Sequence, residues 1–219
     1  MDWNSIGTAA REAFRTAVNE WIAQAQLRGG RITGPAAEFG PGSLWSPVNL
    51  EVKLLQSLTA AKLSSEVAQA LAKILASAWN DWAGGFQLRS QSAFPTFVAV
   101  PASHAPPTPA APIPLQSSVS SGEPSLSSAL LNAKLTQALR AHAVRSPGNF
   151  DLAAKQLADW VDSSFQEWKR IVMISGVVGQ GPVPTFAPPY VPVGPVVMGS
   201  TIPNHTSLFA GPRFGKIVL

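Results

Sequence analysis

The chain has 219 residues, 46% of them hydrophobic and only 13% charged, with 20 Pro, 17 Gly, 7 Trp, one Tyr and no Cys. One or two small domains fit that length, and the lack of Cys removes disulfides, thiolate nucleophiles and Cys-ligated zinc together. The formal charge of +4 is dispersed: residues 1–89 hold eight Lys or Arg against seven Asp or Glu, and residues 123–170 hold six against five. Such a mixed solvated surface is not the basic stripe that neutralises many phosphates, so no specific nucleic-acid partner is expected.

The first predicted element is a helix over residues 8–27, with Phe14, Val18, Trp21, Ile22 and Ala25 on one face and Arg11, Glu12, Arg15, Asn19 and Glu20 opposite. Its opening has no basic n-region and no continuous apolar run, so no secretory leader is expected. A linker containing Gly and Pro completes residues 1–43. Residues 44–94 read as a helical hairpin: Leu50, Leu54, Leu58 and Ala61 form one stripe, and Val67, Leu71, Ile74, Leu75, Ala78 and Trp82 form the next. Ser64 or Ser65 caps the second helix and Gly84-Gly85 stops it. Residues 95–124 read as an extended arm. A second hairpin occupies residues 125–180, with Leu131, Leu135, Ala138 and Leu139 in one helix and Leu157, Val161, Phe165, Trp168 and Val172 in the other. Residues 181–219 form a second arm.

The arms rest on composition. Between Arg89 and Glu123 lie 33 residues without Asp, Glu, Lys or Arg, between Arg170 and Arg213 lie 42 more, and these two stretches hold fifteen of the 20 prolines. Proline at that density excludes a helix interior and a central strand, leaving polyproline-II, irregular chain or short β segments. The stretches are also too broken by Pro and Gly to span a membrane as helices. Ordinary linkers are polar, whereas these carry Phe97, Phe186, Tyr190, Met198 and many Val.

The halves match in order: Lys53-Leu54 with Lys134-Leu135, Ala72-Lys73 with Ala154-Lys155, and Pro95-Thr96-Phe97 with Pro184-Thr185-Phe186. Asn80-Asp81-Trp82 and Gln166-Glu167-Trp168 close the two long helices, and Asn19-Glu20-Trp21 is a partial third copy. The expected fold is therefore mainly α: an N-terminal helix plus two degenerate helical-hairpin repeats, each followed by a long Pro-rich extended arm.

Catalytic signals are weak. His104, His142 and His205 lack a ligand partner at helical spacing, so neither metal nor cofactor is expected. Asp159 and Asp162 suit a solvated helix face better than an acid–base pair. No Ser stands in a Gly-x-Ser-x-Gly elbow, and the glycines from Gly176 to Gly181 lack dinucleotide spacing and a phosphate-loop Lys.

Function is then expected to be non-enzymatic. Ordering an extended residue costs about 1–2 kcal/mol, so long arms need a large surface to dock on. That points to a structural component of a multi-subunit assembly such as a virion or phage-type particle: a minor capsid, cement, or tail and baseplate accessory protein. Its partners would be other subunits, copies of itself included, and it would be made in a host cytoplasm. The candidate contact residues are Trp3, Trp45, Phe97, Val98, Val100, Phe186, Tyr190, Val196, Val197 and Met198, with Trp21, Trp82 and Trp168 as helix-packing anchors. The second reading is an intracellular adaptor recruiting modular domains through Pro-x-x-Pro segments such as Pro109–Pro112 and Pro189–Pro192.

Overall fold

A computed structural model describes residues 3–94, 104–143, 149–182, 198–202 and 208–215. Helix α1 (Trp3–Ala23) buries Ile6, Ala10, Phe14, Ala17, Val18 and Trp21, the i, i+3, i+4, i+7 rows of one face. Four short strands follow it: β1 (Gln26–Leu27), β2 (Arg31–Thr33), β3 (Ala36–Phe39) and β4 (Leu44–Trp45). Next comes α2 (Leu50–Ala60), whose N-cap Asn49 accepts a hydrogen bond from the Val52 N–H at 3.1 Å. Its C-terminus closes with Lys62 N–H on Thr59 O at 2.9 Å and Leu63 N–H on Leu58 O at 3.3 Å, a Schellman motif that puts Lys62 at φ +62°.

Helix α3 (Ser65–Gly85) runs straight into β5 (Phe86–Ser92). The strands β6 (His104–Pro109), β7 (Ile113–Pro114) and β8 (Val119–Ser120) precede α4 (Ser128–Ala143) and α5 (Phe150–Ile171). After them come β9 (Met173–Ile174), β10 (Val178–Pro182), β11 (Gly199–Ile202) and β12 (Phe209–Ala210). In the helical layer α2 packs on α3, α4 on α5, and α1 on both α2 and α5.

Seven strands form one antiparallel sheet in the order β6-β10-β11-β2-β3-β5-β8; β12-β9-β7 form a second, and β1 pairs with β4. The mainly helical expectation with Pro-rich arms is therefore wrong, and the reason lies in where the prolines sit. Strand β6 carries Pro106, Pro107 and Pro109 but is an edge strand, where missing N–H groups are tolerated. Its register with β10 runs Thr108↔Gly179 and then Ala105↔Gly181, so Pro106-Pro107 bulge opposite the single residue Gln180. The described parts of both charge-free stretches thus pair within this chain.

The large sheet curls on itself. Ala111 N–H donates to Ala93 O at 2.7 Å, joining the chain leaving β6 to the chain leaving β5 from the opposite side of the strand order. Inside the curl lie Ile32, Ala37, Phe39, Phe94 and Ala105, each less than a tenth exposed. Gly179 and Gly30 make room for them, since a Cβ on Gly179 would overlap Ile32 Cδ1 and one on Gly30 would overlap the Phe39 ring.

The C-terminal residues complete the helical core. Phe214 packs edge-on against Phe14, Trp79 and Trp160 at ring-centroid distances of 5.8, 5.6 and 6.0 Å. Phe209 meets Trp168 at 5.2 Å. Residues 208–215, read from sequence as part of an outward arm, are thus a strap over the chain's own helices.

Candidate interaction rim

Strand directions bring three chain ends together at one rim of the large sheet. Strand β10 ends at Pro182, opposite His104 at the start of β6, and Gln180 faces Ser200 of β11. Met198 sits just before β11 with φ +50° and is 85% exposed, the most exposed large hydrophobic residue among those described. A shallow depression of about 300 Å³ lies among His104, Gln180, Pro182, Met198 and Ser200. Its walls are apolar and neutral-polar, offering van der Waals surface and a few hydrogen-bonding groups. That chemistry suits holding a chain or a side chain.

Other candidate residues are distributed through the fold. Trp3 is 6% exposed and meets Phe150 at 5.9 Å, so its ring is spent on the start of α5. Trp45 is 39% exposed, with the Arg28 guanidinium stacked over its ring at 3.6 Å. Trp21, Trp82 and Trp168 lie at the centre of the helical core, 3%, 0% and 1% exposed. Their hub is Trp79, not among the anchors expected from sequence; its ring is 4.8 Å from Trp82, 5.6 Å from Trp21 and 5.8 Å from Trp168. Phe97, Val98, Val100, Phe186, Tyr190, Val196 and Val197 lie outside the described residues, as does His205.

The carboxylate pair has a structural occupation. Asp162 accepts the Ser128 backbone N–H at 2.8 Å and Asp159 accepts the Ser128 hydroxyl, so both hold the N-terminus of α4 against α5. The Lys155 ammonium donates to Asp159 at 2.6 Å, and this bond, then that of Ser128, holds the Asp159 carboxyl below its ordinary pKa of 3.8. Among the described residues no three His, Asp or Glu side chains group as a metal site. No described helix is long and apolar enough to cross a membrane.

No protein-family model, curated protein or solved structure matches this chain.

Proposed function

We propose that this chain is a non-enzymatic structural component of a large multi-subunit assembly of the virion or phage-particle kind, bridging neighbouring subunits. The observation that carries this reading is that His104, Pro182 and Met198, which adjoin two charge-free segments in sequence, meet at one rim of the large sheet. Residues 95–103 end at His104 and residues 183–197 start after Pro182, and His104 and Pro182 are register partners; Met198 closes the second segment at the same rim. In sequence these segments carry Phe97, Val98, Val100, Phe186, Tyr190, Val196 and Val197. Apolar, uncharged chain of that composition gains most by lying on protein surface. The aromatic helical core is the anchor that this arrangement requires.

One observation weighs against the adaptor reading. In Pro109-Ala110-Ala111-Pro112 both alanine N–H groups are already donated within the chain, Ala110 to Val177 O at 2.8 Å and Ala111 to Ala93 O at 2.7 Å. That motif belongs to the curl of the sheet and is not free to be read as a polyproline ligand.

The test replaces residues 95–103 and 183–197 with Gly-Ser chain of equal length, singly and together. The double replacement is expected to abolish co-sedimentation with the native particle while circular dichroism keeps the helical signal. Full retention of attachment by a folded double variant sinks the proposal.

A further inference from the structure

Away from the rim, a groove of about 510 Å³ opens between α1 and the strap that follows β12. Arg15, Asn19 and Ile22 line one wall, and Phe209, Pro212 and Arg213 line the other. The α1 wall runs from Arg15 to Ala23, roughly 12 Å at 1.5 Å per residue. That matches about four residues of extended chain at 3.3 Å each. The strap is fixed in place by a two-point amide contact: Asn19 Nδ2 donates to Phe214 O at 3.1 Å, and Phe214 N–H donates to Asn19 Oδ1 at 2.9 Å. The groove is therefore built into the fold.

Its charges are unequally satisfied. Glu20, the acidic residue on the lining, is engaged by Lys53 at 2.7 Å. Arg15, half-buried, pairs with the exposed Glu12 one helical turn away. Arg213 pairs with no carboxylate among the described residues. An occupant therefore meets the Arg213 guanidinium, able to take a carboxylate as a planar fork, with the Arg15 guanidinium shared with Glu12 on the facing wall and apolar surface beside them.

We propose that this groove seats an extended segment of a partner subunit carrying one Asp or Glu flanked by apolar side chains. The carboxylate lies on Arg213 and Arg15, and its apolar neighbours lie on Ile22, Phe209 and Pro212. This rests on the reading of the chain as an assembly subunit and names a second contact besides the rim.

The test is nuclear magnetic resonance on the isotope-labelled full chain titrated with a blocked peptide, acetyl-Val-Asp-Leu-Val-amide. Its Asn counterpart and isovalerate serve as comparison probes. Saturable shifts are expected at Arg15, Asn19, Gly211 and Arg213, at least five-fold weaker binding for the Asn peptide, and a similar weakening of the Asp peptide by Arg213→Gln. Arg213 is exposed, so that variant keeps the fold. Shifts confined to other surfaces, equal binding of both peptides, or no shift at millimolar peptide overturn the proposal. Isovalerate binding as tightly as the peptide also overturns it, because the groove would then be a small-acid site. The outcome is separable from the wider reading: an unresponsive groove sinks this inference even where replacing the rim segments abolishes attachment to the particle.

Discussion

Two single residues show how tightly local geometry is set. Gly122 sits where a Cβ would overlap the backbone carbonyl of Asp81 and approach Trp82 N to 2.7 Å, so no side-chain rotation relieves the clash. Around it, Ser125 Oγ donates to Asp81 Oδ2 at 2.8 Å and Lys169 reaches Glu123 at 2.6 Å, tying the turn at Glu123–Leu126 to both α3 and α5. Gly122→Ala is therefore expected to cost about 3 kcal/mol or more, lowering the thermal midpoint by about 6 to 12 °C for a domain of this size. A scanning-calorimetry shift under 2 °C would show that the turn yields freely. Lys62 makes the opposite case: a residue with a Cβ occupies the left-handed position of the Schellman cap, where glycine carries no steric penalty. Lys62→Gly should raise stability by about 0.5–1 kcal/mol, measured as a higher urea midpoint at unchanged slope. A lower midpoint means the Lys side chain makes a contact worth more than the backbone relief.

The element scale shows what periodicity can and cannot reveal. The amphipathic faces of α1, α3 and α5 were legible because their buried residues recur at 3.6-residue spacing over twenty-odd positions. The strands were not: β1 through β4 are two to four residues long, too short to display alternation. Strand β6 was hidden by its prolines, whose cost depends on being at an edge, and edge position follows from long-range pairing that no local window contains. The same holds for the rim. The composition of residues 95–103 and 183–197 was plain in the sequence, but that His104 and Pro182, which adjoin them, are register partners was not. The helix period placed Asp159 and Asp162 together on one face of α5, but their work on α4 depends on Ser128 arriving from another element. That contact has a pH signature. The Asp159 carboxyl titrates below 3.8 in the folded chain because Lys155 and then Ser128 stabilise its charged form. Stability from it is present above the unfolded pKa and is lost as pH falls below about 3.8 through the folded pKa. In urea titrations across pH 2–6, Asp159→Asn should flatten the acid limb and leave the slope above pH 5 unchanged; an identical acid limb removes Asp159 from the account.

At the scale of the molecule, the helices, the strap and the small sheet are held by one aromatic cluster, and the strap joins it last in sequence. Phe14, Trp21, Trp79, Trp82, Phe165, Trp168 and Phe214 are each 3% exposed or less. The indole N–H groups of Trp79 and Trp82 find no hydrogen-bond acceptor among the described residues, so this centre relies on ring packing to offset two desolvated donors. A strap that supplied only a surface cover could be removed at little cost. Phe214 does more than cover: it is fully buried, sits between α1, α3 and α5 through Phe14, Trp79 and Trp160, and is locked by the Asn19 amide. Phe214→Ala should cost about 3–5 kcal/mol, since neighbouring rings cannot collapse into the space without breaking their edge-to-face contacts. Met198→Ala, at an 85% exposed position of the rim, should stay within about 0.5 kcal/mol in the isolated chain. Urea unfolding followed by tryptophan fluorescence measures both. If Phe214→Ala costs under 1 kcal/mol, the strap is a peripheral attachment and the groove beside it loses its fixed wall; if Met198→Ala costs more than that, the rim is part of the core and cannot be a free contact surface.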